Sequence, residues 1–172
     1  VEAGAFEEAG RLIAETWVHY ANAGRTATVQ EWLRRFPAAA VDADVRLLLV
    51  QAWVAALRGR EADMRRAVAR ARELGIVDDG ALPDGFASLS SSVAVLHAVF
   101  PWGDVSAGLE HGLRSAEVEG PDSPWRPVIS WAVGWAHYVR GDFDEAEGWF
   151  QDTAELAPRT DQWIVGVASF AE

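Results

Sequence analysis

The amino-acid sequence predicts an all-α protein, and more narrowly an α-solenoid in which about nine helices form a right-handed superhelix of hairpins. Apolar residues recur at spacings of three and four, and 31 of the 172 residues are Ala, the strongest helix former. The sequence has no sustained alternation of apolar and polar residues, which would mark a strand. Glycines and prolines divide it into segments of similar length, which favours paired helices.

Four helical hairpins and one further helix account for this pattern. A glycine ends the first helix of each hairpin, where it can adopt a left-handed cap without strain. Aspartates suit the starts of several helices, because a carboxylate there accepts hydrogen bonds from free backbone N–H groups. The glycines are Gly24, Gly59, Gly103 and Gly141, and the aspartates are Asp42, Asp104 and Asp142. The predicted helices cover residues 6–22, 27–35, 43–57, 61–74, 86–99, 104–118, 125–139, 143–157 and 161–171. The hairpins then span about 5–36, 43–74, 86–118 and 125–157.

The hairpins repeat with a period near 40 residues. Successive turn glycines are separated by 35, 44 and 38 residues, and Trp53 and Trp135 each lie six residues before their glycine. Repeats of about 30–50 residues built from helix pairs are typical of an α-solenoid. We expect a single repeat domain over residues 1–172, cut from a longer chain, with residues 161–171 opening a fifth hairpin. An unpaired last helix would expose apolar surface, which predicts a homodimer or crystal contacts.

Composition excludes several classes of site. The chain has no Cys, so it has no disulfide, thiolate metal site or thiol nucleophile. All 15 basic residues are Arg, which removes the Lys of a P-loop and any Schiff-base Lys. The net charge of −11 disfavours direct contact with nucleic acid, because phosphate binding needs a basic face. No apolar run approaches the roughly 20 residues of a membrane span, so we expect a cytoplasmic protein without membrane contact.

No set of residues has the spacing of a catalytic or metal site. The four histidines form no His-Glu-x-x-His pattern, and the serines from Ser88 to Ser92 have no Gly-x-Ser-x-Gly context. The acidic residues near Asp142 occupy the first turn of a predicted helix, where negative charge suits the helix dipole. We therefore expect no enzyme activity, no cofactor and no metal.

Charge is unevenly distributed along the sequence. Residues 1–74 hold 11 Arg against 10 acidic residues, and residues 75–172 hold 4 Arg against 16. Six of the arginines fall between Arg58 and Arg72, in the predicted helix over residues 61–74 and the turn before it. They are consistent with a solvated helix face carrying Arg–Glu pairs, or with a docking surface for an acidic partner or another domain.

Residues 124–158 resemble a tetratricopeptide repeat. The matching residues are a small residue in the first helix, a small and an aromatic residue in the second, and a closing proline: Gly134, Ala146, Phe150 and Pro158. Residues 47–60 and the opening stretch from Ala5 to Pro37 are similar to the longer, looser repeats of MalT-like regulators. The third hairpin departs from the pattern, because Gly108 and Gly112 lie inside its second helix, and we expect it to be distorted.

The resemblance implies a groove, since the first helix of each tetratricopeptide-like pair lines the concave side. Trp53, His97 and Trp135 stand at the same offset from their glycines, and Trp131 and Tyr138 lie one helical turn away from Trp135. Arg11 and Arg46 each stand thirteen residues before their glycine, at one end of the first two such helices. These residues suit a groove that binds a peptide or a small anionic effector, or they serve only in helix packing.

The resemblance also implies a function. MalT-like proteins of the LuxR type are large bacterial transcriptional regulators, in which the repeats follow an ATP-binding signalling module and precede a helix-turn-helix. The chain is expected to be their sensor or protein-interaction segment in signal transduction. It would bind a protein or small-molecule effector in the groove and act on the neighbouring ATPase and DNA-binding modules. The alternative is a stand-alone tetratricopeptide scaffold that assembles other proteins.

Overall fold

The computed structural model describes residues 2–74 and 80–160, and the regular structure of these residues is helical, with no strand. The all-α prediction is confirmed for this part of the chain. The helices are α1 (Glu2–Asn22), α2 (Thr26–Arg34), α3 (Ala38–Asp42), α4 (Val45–Leu57), α5 (Glu61–Glu73), α6 (Leu89–Val99), α7 (Val105–Val118), α8 (Arg126–Arg140) and α9 (Phe143–Leu156), followed by a short 3-10 helix (Ala157–Arg159). The predicted helix over residues 161–171 lies outside the described residues.

The four turn glycines have the left-handed backbone that their positions predict. Their φ angles are 72°, 71°, 96° and 86°, for Gly24, Gly59, Gly103 and Gly141 in that order. A side chain bearing a Cβ would be strained there, whereas glycine adopts this conformation freely. The first helix of each pair therefore ends where the sequence predicts.

Three helix starts and one connection differ from the prediction. α1 begins at Glu2, four residues earlier than expected. α4 begins after Asp44 rather than at Asp42, because the Asp44 Oδ1 accepts the N–H of Arg46 at 2.9 Å. α6 begins three residues later than expected, because the Ser88 Oγ accepts the N–H of Ser91 at 3.0 Å and caps the helix there. The connection between the first two hairpins contains the additional helix α3.

The chain forms two compact units, Val1–Asp84 and Gly85–Glu172, here called unit 1 and unit 2. In unit 1, α1 packs against α2 and α4, and α4 also contacts α2, α3 and α5. Because neighbours surround α4, ten of its thirteen residues are buried. The core of the unit is completed by residues from the helices around it, among them Trp17, Val29, Met64 and Val68.

Unit 2 has a similar pattern of contacts among α6, α7, α8 and α9. α8 contacts the other three helices, and α7 packs against both α6 and α8. α7 is continuous through Gly108 and Gly112. A Cβ on Gly112 would lie 2.6 Å from the Val133 Cγ2, so this glycine lets α7 approach α8 closely. Its low helix propensity is offset by the packing that it allows.

A similar close approach joins α8 and α9. A Cβ on Gly134 would lie 2.9 Å from two carbons of the Phe150 ring and 3.2 Å from the Trp149 Cβ. The absence of a side chain at Gly134 therefore lets the Phe150 ring lie against the backbone of α8. These are two of the residues on which the tetratricopeptide resemblance depends.

A buried carboxylate ties three segments of unit 2 together. Glu119, at the end of α7, is only 2% exposed. Its Oε1 accepts the Ala87 N–H at 2.9 Å and the Ser91 hydroxyl at 2.5 Å, and its Oε2 accepts the Ser123 hydroxyl at 2.6 Å. These hydrogen bonds compensate for the cost of burying the carboxylate. They fix the segment before α6 and the loop before α8 to the end of α7.

We expect Gly134→Val to lower the free energy of unfolding by about 1–3 kcal/mol, because its side chain would overlap the Phe150 ring in a packed core. Gly148→Ala on α9 is the matched control, since a Cβ there meets no atom within 4 Å. The control should keep or raise stability, by up to about 1 kcal/mol of helix propensity. Urea unfolding followed by circular dichroism measures both. Equal stability of Gly134→Val and wild type would contradict the close approach.

Candidate functional site

Arg11 is held by carboxylates of its own helix. Its guanidinium lies 2.6 Å from Glu8 Oε1 and 2.5 Å from Glu15 Oε1. The hydrogen bond between Arg11 and Glu8 raises the pKa of Arg11 and lowers the pKa of Glu8. All three side chains are exposed, so a ligand anion could exchange with either carboxylate at small energetic cost.

Arg46 forms a closer pair with the carboxylate that caps its helix. Its Nε lies 3.0 Å from Asp44 Oδ1, and its Nη2 lies 2.6 Å from Asp44 Oδ2. Burial of Asp44 opposes ionisation, but the hydrogen bonds and charge of Arg46 outweigh it and lower the pKa of Asp44. The hydrogen bond with Asp44 also raises the pKa of Arg46. The guanidinium is thus paired with the carboxylate that caps α4.

Trp53 belongs to the core of unit 1. It is 4% exposed, and its ring lies 5.7 Å from the ring of Trp17. The Trp17 indole N–H donates to Asp84 Oδ2 at 3.0 Å, which anchors this pair of rings. The burial of Trp53 within unit 1 identifies a packing role, which the sequence could not separate from a groove role.

In unit 2, α8 carries three predicted groove residues on one side. Trp131, Trp135 and Tyr138 follow the i, i+4, i+7 spacing, and the structure leaves all three in contact with solvent. Tyr138 is 45% exposed. We call these three residues the aromatic face of α8. On α6, the half-buried His97 ring stacks on His111 at 5.3 Å. A groove that these residues share with Trp53 stays a prediction.

One polar atom on the aromatic face has no partner. The indole Nε1 of Trp131 is shielded from solvent and donates to no acceptor in the described part of the chain. A buried N–H without an acceptor is costly, and a ligand that supplies one would recover that cost. The aromatic face therefore combines partly exposed rings with a buried donor that a ligand reaches only if the atoms covering it move.

A second surface lies in unit 1, where two adjoining cavities of about 560 and 380 Å³ open between α2, α3, α4 and α5. They share Asp42, Gln51 and Arg60. We call the joined cavities the arginine groove, after the four cations that line it: Arg34, Arg60, Arg66 and Arg70. The run of arginines on α5 is visible in the sequence. The other wall of the groove comes from α2 and α3, and no local sequence pattern shows that these helices lie beside the arginines.

Within residues 2–74 and 80–160, no group of three His, Asp or Glu side chains could hold a metal ion. The same ranges contain no helix with the length and apolar character needed to cross a bilayer.

No protein-family model, curated protein or solved structure matches this chain. The proposed function therefore rests on the residues themselves, on the resemblance of their spacing to repeat proteins, and on the two surfaces described above.

Substitution by alanine should distinguish the core role of Trp53 from the partly exposed position of Trp135. We expect Trp53→Ala to lower the free energy of unfolding by about 3–5 kcal/mol, because it leaves a cavity beside Trp17. Trp135→Ala removes a partly exposed ring and should cost less than about 2 kcal/mol. Chemical unfolding of the two variants measures the difference. A Trp53→Ala protein as stable as Trp135→Ala would contradict the core assignment.

Proposed function

We propose that this chain is a helical-repeat binding domain, the sensor or protein-interaction segment of a LuxR-type transcriptional regulator similar to MalT-like proteins. The observation that carries the proposal is the aromatic face of α8, with its partly exposed rings and the unpaired Trp131 N–H. A surface of this kind takes an apolar or planar group that also presents a hydrogen-bond acceptor. We propose that this surface serves in binding rather than in catalysis.

The packing of the helices supports a repeat architecture for the domain. In each unit, α4 or α8 contacts both the helix that follows it and helices of the preceding pair. The contact of Gly134 with Phe150 occurs at the two positions that the tetratricopeptide resemblance predicts. Stacked helix pairs leave extended surfaces that recognise peptides and proteins, and we propose a right-handed superhelix on this basis.

Regulation by such a domain requires two states with different ligand affinities. A ligand on the aromatic face would favour whichever arrangement of the parent chain leaves that face accessible. The same ligand would then shift the conformational equilibrium of the neighbouring ATPase and DNA-binding modules. The size of that shift is set by the difference in the ligand's affinity for the two states.

The open reading frame on either side of this segment tests the regulator assignment. We expect a Gly-x-x-x-x-Gly-Lys-Ser/Thr loop upstream, because the ATPase module holds nucleotide phosphates with it, and a helix-turn-helix downstream. Sequencing the gene gives the answer. A frame that encodes only further repeats would contradict the regulator and leave a scaffold that assembles other proteins.

Fragment binding tests the aromatic face itself. We expect planar fragments that carry a carbonyl or carboxylate acceptor to shift the indole N–H resonances of Trp131 and Trp135 in nitrogen–proton correlation spectra. Trp135→Ala should weaken binding by about tenfold or more, because part of the apolar contact is lost. Trp32→Phe is the control, since Trp32 packs on Tyr20 in unit 1. Shifts spread equally over all indoles, or equal affinity in Trp135→Ala, would contradict the site.

A further inference from the structure

The turn that joins α8 to α9 exposes three large apolar side chains. Phe143 is 61% exposed, which makes it the most exposed large apolar residue among the described ones, and Val139 is 48% exposed. The Tyr138 ring is 45% exposed and makes a T-shaped contact with the Phe143 ring, with their centroids 5.6 Å apart. Exposed apolar residues that cluster in this way mark an interaction surface, whereas single ones need no explanation.

A cavity of about 430 Å³ lies at the same turn. It is lined by one aromatic residue, three acidic residues, a histidine and the turn glycine: Phe143, Asp142, Asp144, Glu145, His137 and Gly141. No arginine of the described residues lines it. The cavity therefore combines an exposed ring with three carboxylates. We call Val139, Asp142, Phe143, Asp144 and Glu145 the hairpin tip.

The negative charge of the hairpin tip is only partly neutralised. Asp142 Oδ2 lies 3.4 Å from Arg140 Nε and 3.3 Å from His137 Nδ1, so this carboxylate has partners. Asp144 and Glu145 are exposed and form no ion pair within the described part of the chain. α9 as a whole carries five acidic residues and no basic one. At least two carboxylates of the tip are thus available to a cation from outside the chain.

An arginine side chain has the chemistry that this surface lacks. Its planar guanidinium can stack on an aromatic ring and at the same time donate hydrogen bonds to carboxylates. The exposed apolar area beyond the cavity, at Val139, adds a contact for an apolar side chain next to that arginine. The combination favours a basic peptide segment over an isolated cation.

We propose that the hairpin tip docks a segment of a partner protein in which arginines alternate with apolar side chains. One guanidinium would enter the cavity, lie against the Phe143 ring and pair with Asp144 and Glu145, while a neighbouring apolar side chain covers Val139. The net charge of −11 on the chain also attracts a basic partner. The inference goes beyond the proposed function, because neither Trp131 nor Trp135 takes part in it, and it concerns the α8–α9 hairpin alone.

Other occupants fit the hairpin tip less well. Nucleic acid and anionic membranes present phosphates, which the unpaired carboxylates would repel. A small polyamine such as spermine would pair with the carboxylates but would leave the exposed side chains of Val139 and Phe143 uncovered.

Fluorescence anisotropy of a labelled peptide, Gly-Leu-Arg-Leu-Arg-Leu-Gly, tests the proposal on the 172-residue protein. Asp144→Asn/Glu145→Gln and Phe143→Ser should each weaken binding by about tenfold or more, because the first removes the charge partners and the second the ring. Asp152→Asn/Glu155→Gln is the matched control, since it neutralises two exposed carboxylates of the same helix outside the cavity. The control should bind within about twofold of wild type.

Peptide and protein controls separate this site from general attraction and from the aromatic face. Peptides with Glu in place of Arg, or with Ser in place of Leu, should bind at least about tenfold more weakly. Trp135→Ala should bind the peptide as wild type does, which distinguishes the hairpin tip from the aromatic face. Circular dichroism confirms folding, and Glu145→Gln alone replaces a double variant that fails to fold.

Four results would each overturn the proposal. The first is no binding at about 1 mM peptide, and the second is equal weakening by the tip variant and its matched control. The third is equal affinity for the peptide with Ser in place of Leu, which would leave no role for the apolar side chains. The fourth is displacement of the peptide by an equal concentration of spermine, which would assign the hairpin tip to a small cation.

Discussion

The structure depends on the close approach of neighbouring helices, which is possible only where a small residue faces a large one. Gly134 receives the Phe150 ring, and Gly112 receives Val133. In unit 1, α4 is also closely packed, because four neighbouring helices bury its alanines and its other apolar residues. Isolated helices of this length are only marginally stable in water, so tertiary packing provides most of their stability.

This constraint decides which side chains remain available for recognition. Once α4 and α8 have been covered by their neighbours, the residues left in contact with solvent are those on sides that no helix reaches. On α8 these are the rings of the aromatic face and Val139 near the end of the helix. On α5 they are arginines, several of which pair with acidic residues three or four positions away. Binding surfaces are thus a consequence of how the helices pair.

Most helices could be predicted because periodicity and turn glycines are local signals. α3 was missed because its five residues bury only Val41 and show no period. α6 began later than predicted because the Ser88 cap, a single hydrogen bond, outweighed an apolar pattern that extends back to Phe86. The buried hydrogen bonds of Glu119 join residues about 30 positions apart, which no local pattern reveals.

The sequence predicts which residues could form the candidate site, but it does not predict how they are arranged in space. Equal offsets from the turn glycines align Trp53 with Trp135, but they do not show which neighbour covers each ring. Trp17 packs on Trp53 from another helix, whereas Trp135 keeps contact with solvent. Likewise, the run of arginines on α5 was evident, whereas the cavity beside it requires α2 and α3.

Native-state hydrogen exchange, resolved by residue, tests the central claim that helix pairing sets both stability and exposure. The account predicts that amides of α4 and α8 exchange only when their whole unit unfolds, because neighbouring helices cover them. Amides of α2, α3 and the first turns of α1 should exchange by local opening at much lower free energy. Exchange in α4 or α8 as fast as in α3 would contradict the account.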